Sequence, residues 1–202
     1  MSNISNAGHK TRRLTGLAFL TAIIIVLQIV CSFIHFGPFS ITLALAPIII
    51  GAAIYGIGAG VYLGTVFGTI VLIAGLFSWD GGFTLILLND NALATIAICI
   101  VKGAAAGLAA GILYRLISKK NVTAGVITAG VVCPIVNTGL FIVGMLVFFF
   151  PMLKGMAQEE SQELTYYIIF TLTGLNFLVE LAVNMLFSTA ITRIIKAKNR
   201  IS

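Results

Sequence analysis

Six apolar stretches take up most of this 202-residue chain: Leu14 to Phe36, Ile41 to Tyr55, Gly60 to Phe77, Ala92 to Ile117, Val122 to Phe150 and Thr165 to Ile195. A helix needs roughly 20 apolar residues to cross the hydrocarbon core of a bilayer. The first, fourth, fifth and sixth stretches meet that length alone. The second and third meet it if the join Tyr55-Gly56-Ile57-Gly58 is a tight turn between two shorter helices. A β-barrel would also satisfy the backbone in lipid, but these runs are too long and do not alternate apolar with polar residues. The pattern predicts an all-α polytopic membrane protein, a compact bundle of six transmembrane helices.

Composition supports the same class, with 59% of residues apolar and 9% charged, far from the mix of a soluble domain. Residues 1–202 read as one membrane-embedded domain: a cytoplasmic segment 1–13, the bundle 14–196 and a cytoplasmic tail 197–202. The first run follows Lys10, Arg12 and Arg13 as a signal peptide would. It is longer than a signal core and has no small-residue cleavage site before His35, so it is read as a mature helix.

Orientation follows from the basic residues. With six spans and the N-terminus in the cytoplasm, the inner segments hold Lys10, Arg12, Arg13, Arg115, Lys119, Lys120, Arg193, Lys196, Lys198 and Arg200, whereas the outer loops hold Lys154. Both termini are therefore expected in the cytoplasm. The net charge of +6 marks this topology and contact with anionic headgroups, and is no argument for nucleic acid.

Small residues recur four apart at Gly60, Gly64 and Gly68, at Gly103, Gly107 and Gly111, and at Ala18 and Ala22. That spacing clears one helix face for the close approach of another backbone. For the glycine rows the simplest partner is another helix of the same bundle. Cys31, Cys99 and Cys133 are odd in number, fit no metal spacing and fall inside apolar runs, as reduced core cysteines do.

The polar residues inside the apolar runs carry the functional signal. Lys102 lies in the middle of the fourth run, and Asn176, Glu180 and Asn184 stand one helical turn apart in the sixth. A charge at bilayer depth costs several kcal/mol unless it is paired or reaches water, which makes such residues candidates for a site. At 1.5 Å per residue, Lys102 and Asn176 lie about 16 Å from the outer helix ends, Asn137 about 20 Å and Glu180 about 22 Å. One shared layer is possible, flanked by Thr95, Thr138 and Thr173, with Pro134 able to bend the fifth helix beside Asn137. Within it, Lys102 and Glu180 either pair with each other or contact a ligand.

The outer stretch Phe77 to Asn91 combines the single Trp, Trp79, with Gly81 and Gly82 as hinges and a polar rim of Asp80, Asn89, Asp90 and Asn91. It reads as a mobile lid over an outward-facing pocket, with Trp79 and Asn91 as further contacts for a bound molecule. Trp79 alone equally suits an interfacial anchor. No metalloprotease, nucleophile-elbow or phosphate-binding motif is present, so enzymatic activity is not expected and ATP-driven work must come from another chain. No cofactor is expected, and no inverted repeat of a self-sufficient transporter is evident.

Ala18-Phe19-Leu20-Thr21-Ala22, Leu43-Ala44-Leu45-Ala46-Pro47-Ile48-Ile49-Ile50-Gly51-Ala52 with Tyr55-Gly56, Lys102-Gly103, Cys133-Pro134-Ile135-Val136-Asn137-Thr138-Gly139 and the stretch from Asn176 to Asn184 together give the chain a pattern that resembles the substrate-capture subunits, called S components, of energy-coupling factor (ECF) vitamin transporters. The resemblance implies a subunit that binds a micronutrient from outside. It also implies docking through the small face of the first helix, at Ala18 and Ala22, onto a transmembrane coupling subunit driven by two cytoplasmic ATPases. Pocket residues vary in such a family, so Lys102, Asn137, Asn176 and Glu180 rest on chemistry and depth. Lys102 suits a carboxylate and the amides suit hydroxyl or amide groups, which makes pantothenate the first choice, ahead of folate, riboflavin and nicotinate. If Glu180 neutralises Lys102, an uncharged ligand such as riboflavin gains. Two readings of other classes are a stand-alone facilitator or exporter and a non-transport membrane assembly protein.

Overall fold

The structure is a computed structural model describing residues 2–36, 39–40 and 42–201. The ends of the expected cytoplasmic segments, Met1 and Ser202, and the start of the second apolar stretch, Ile41, lie outside the described residues. Helices α1 (Ser2–Ser32), α2 (Leu45–Tyr55), α3 (Ile57–Leu76), α4 (Phe83–Ile117), α5 (Val122–Phe148), α6 (Phe150–Glu159), α7 (Leu164–Tyr166) and α8 (Gly174–Ile201) follow in chain order. Between α1 and α2 lies a two-residue antiparallel ladder of β1 (His35–Phe36) and β2 (Phe39–Ser40). A π-helical segment, Tyr167–Leu172, joins α7 to α8.

Among the described residues, five stretches are long and apolar enough to cross a membrane: Lys10–Ser32, Ile57–Leu76, Phe83–Ile117, Val122–Phe148 and Leu164–Ile195. The second apolar run differs from the expectation of a full span. Its helix α2 has 11 residues, about 16 Å of rise, and is buried along most of its length between longer neighbours. The tight turn expected at Tyr55-Gly56 is one residue, Gly56, at φ 93° and ψ 177°, a conformation open to glycine.

Polar side chains decide where helices begin and break. The stretch from Phe77 to Asn91, read from sequence as a loop, is helical from Phe83 onward. Asp80 caps it, Oδ1 accepting from the Gly82 N–H and Oδ2 from the Thr84 N–H, each at 3.1 Å. That caps donors left open at a helix start. The kink comes at Asn91, with φ −149° and ψ 92°, where Asn91 Oδ1 accepts from the Ala94 N–H at 3.1 Å and restarts α4. The hydroxyl of Thr95 donates to the Asn91 carbonyl at 2.9 Å. On the sixth run Thr173 stands between the π segment and α8 and donates to the Ile168 carbonyl at 2.8 Å. Extra helix α6 buries Leu153 and Ala157 in a region expected to be loop.

The two glycine rows face one another. A Cβ on Gly64 would overlap the Gly103 carbonyl, one on Gly107 the Gly60 carbonyl and one on Gly68 the Cys99 carbonyl, so α3 and α4 meet backbone to backbone. The cysteines are free and buried. Buried apolar residues form two clusters, one including Ile24, Ile48, Phe67, Ala106, Cys133 and Ile191, the other Phe83, Ile98, Met145, Phe149, Tyr167 and Leu172. Along α4, α5 and α8 these clusters are separated by Lys102, by Asn137, and by Asn176 with Glu180. A polar layer thus divides the core.

Candidate functional site

Lys102, Asn137 and Asn176 come together, as their depths suggest. With Thr138, Phe141, Leu172 and Thr173 they line an inner cavity of about 40 Å³. Lys102, Phe141 and Asn176 also wall an outer cavity of about 60 Å³, together with Gln28, Ser32, Thr42, Asp80, Thr84 and Thr95. The two are lobes of one site that meet at Lys102.

Lys102 is half-buried, its Nζ 5.0 Å from the centre of the Phe141 ring, a cation–π contact. Glu180 is 1% exposed. Its Oε1 accepts from Asn176 Nδ2 at 3.3 Å, while Oε2 has no hydrogen-bond partner. Thr42 and Asn137 are the other polar groups facing this carboxyl, and Lys102 acts on it through space rather than through a bond. The pairing alternative for Lys102 and Glu180 is therefore not the observed geometry. Lys102 lines both cavities, with its ammonium over the Phe141 ring.

Other buried polar atoms in and around the site also lack partners: Gln28 Oε1, Asn137 Oδ1, Asn176 Oδ1 and Asn184 Nδ2. Buried polar atoms are normally satisfied by protein, water or ligand. One ammonium beside several open oxygens can hold a carboxylate together with hydroxyl or N–H groups. Among the described residues no group of His, Cys, Asp and Glu could hold a metal ion.

Trp79 and Asn91 do not line either lobe. Trp79 stacks on Phe77 and packs near Phe33, with centroids 5.2 and 5.8 Å apart, and Asn91 is occupied in restarting α4. Gln28, Ser32, Thr42 and Thr84 are lining residues that the sequence reading did not single out. For Gln28 the signal was there: an amide in the middle of an apolar run. A third cavity, apolar and about 560 Å³, opens between α5 and the break before α8, and Thr138 and Thr173 belong both to its wall and to that of the inner lobe.

Ala18 and Ala22 lie on the open side of α1, in line with the exposed Leu14, Val26 and Val30. The opposite stripe, Leu20, Ile24, Gln28 and Cys31, is buried. Residues 12–195 match the family model of the ECF transporter, substrate-specific component. The chain belongs to this family. It is a multi-pass protein of the prokaryotic cell membrane and a transport protein, an S component for a small-molecule micronutrient that works with an ECF module. Comparison with curated proteins gave no matching relative.

Proposed function

We propose that this S component captures an acidic vitamin from outside the cell, with pantothenate the first choice, and delivers it through a transmembrane coupling subunit driven by two cytoplasmic ATPases. The observation that supports the acidic class is the position of Lys102, which stands where the two lobes meet and forms no bond to Glu180. The carboxylate of the ligand sits on Lys102, and its amide group meets the open oxygens of Asn137 and Asn176. Both lobes are far smaller than the roughly 300 Å³ of a vitamin-sized pocket. Entry thus requires the capped stretch above them, with Gly81 and Gly82 at φ 76° and 86°, to move outward.

Titration calorimetry of the purified protein against pantothenate, folate, nicotinate and riboflavin tests this reading. Tightest binding of pantothenate is expected. Tightest binding of uncharged riboflavin, unaffected by Lys102→Met, would overturn it.

A further inference from the structure

The outer lobe carries a recognition element on α1. Gln28 is 2% exposed, lines the outer lobe and leaves its side-chain carbonyl oxygen without a partner. Three of its polar neighbours there, Ser32, Thr95 and Asp80, are engaged. The Ser32 hydroxyl donates to the Gln28 backbone carbonyl at 2.8 Å, the Thr95 hydroxyl to the Asn91 carbonyl, and the Asp80 oxygens cap α4. The apolar part of the lobe's lining is Val71, Ala74, Phe83, Leu87, Ile98 and Phe141. The site thus presents a cation on α4 and, on a different helix, an open acceptor.

We propose that Gln28 is a specificity-determining residue whose carbonyl accepts a hydrogen bond from a hydroxyl or N–H group at the end of the ligand remote from its carboxylate. The ligand class this selects is a two-ended acid, with its carboxylate on Lys102 and a hydrogen-bond donor at Gln28. Simple aromatic or aliphatic acids satisfy one end and leave the buried oxygen of Gln28 unpaired, which is how a site rejects an analogue lacking a hydroxyl. The inference rests on the acidic-ligand reading and adds the second anchor to it.

The test uses the full-length protein in nanodiscs and three probes: pantothenate, its analogue lacking both hydroxyls, and panthenol, in which a hydroxymethyl group replaces the carboxylate. For the unmodified protein, pantothenate is expected to bind at least tenfold tighter than the dehydroxylated acid. Gln28→Met, close in length but without the carbonyl, should weaken pantothenate about tenfold or more and the dehydroxylated acid less than threefold. Gln28→Glu, which keeps an acceptor, should retain the preference between the two acids. Lys102→Met should weaken both acids alike and panthenol little.

A preference below threefold in the unmodified protein overturns the role of Gln28 without any variant having to fold. Equal losses for both acids in Gln28→Met do the same and assign the residue to packing. Binding of panthenol alone, with neither acid bound, overturns the acidic reading and this inference with it.

Discussion

Across one turn of α8 the Asn176 amide donates to the Glu180 carboxyl at 3.3 Å, and the second carboxyl oxygen is left open. Glu180 is enclosed by Thr42 from the segment before α2, by Asn137 from α5 and by Asn176 from α8, so one side chain gathers polar groups from three parts of the bundle. Lys102 is not among its bonded partners. Glu180 gathers the polar groups of the layer, and Lys102 stands outside these bonds.

This division separates two substitutions at Glu180. Gln keeps an acceptor for Asn176 and removes a charge that is costly to bury, so Glu180→Gln should change stability by less than about 1 kcal/mol. Leu leaves the buried Asn176 donor unsatisfied, and Glu180→Leu should cost about 1–3 kcal/mol. Thermal unfolding in one detergent compares them. If Gln proves as damaging as Leu, the charge itself is required and Lys102 must supply its partner.

Lys102→Met probes the other side of the division. With no bonded partner to orphan, its loss should alter stability by less than about 1 kcal/mol, because the methionine keeps the apolar contact with Phe141. Affinity for an acidic ligand should fall by about 2–5 kcal/mol, the usual cost of deleting one partner of a buried, hydrogen-bonded charge pair. Calorimetry read beside the unfolding curve separates the two effects. Unchanged affinity would take Lys102 out of the site and leave no reason to prefer an acid.

Much of this layer was legible because charge and amide at bilayer depth stand out against apolar neighbours: Lys102, Asn137, Asn176 and Glu180 were found by that signal and do share one region. Gln28 carried a weaker form of it, since a single amide in an apolar run is commonly a packing residue, and only the open oxygen in the outer lobe distinguishes it. Trp79 and Asn91 sit in a composition that suggests a lid. Its helix from Phe83 is created by Asp80 capping a short apolar segment that the preceding glycines disguise. The break at Thr173 and the π segment before it were not legible, because they depend on how the sixth run packs against α5 and α6.

The glycine rows give a contrast within one protein. Gly64→Ala or Gly103→Ala would drive a Cβ into a facing carbonyl on a packed backbone, and forcing α3 and α4 apart should cost about 1–3 kcal/mol or more. Gly139 lies inside α5 with nothing within 4 Å of an added Cβ. Gly139→Ala should therefore be neutral or stabilising by up to about 1 kcal/mol, since alanine loses less backbone freedom on entering a helix. Unfolding midpoints measured side by side check the sign of each. Equal destabilisation at Gly64 and Gly139 would mean that the interlocked rows are not what holds α3 to α4.

Docking makes the last prediction. Ala18 and Ala22 lie on the open face of α1, whereas Gln28 on the same helix is buried in the site. Bulky residues at the alanines should prevent a partner helix from approaching closely while leaving the buried stripe undisturbed. The double change Ala18→Trp, Ala22→Trp should abolish ATP-driven uptake in vesicles containing the coupling module. Ligand affinity of the isolated subunit should stay within about threefold, a difference of less than about 0.7 kcal/mol. Vesicles holding the unmodified chain alone should bind ligand without concentrating it, because the sequence has no phosphate-binding loop. Loss of ligand binding in the double variant would show that this face supports the fold, and concentrative uptake by the lone chain would show that no module is needed.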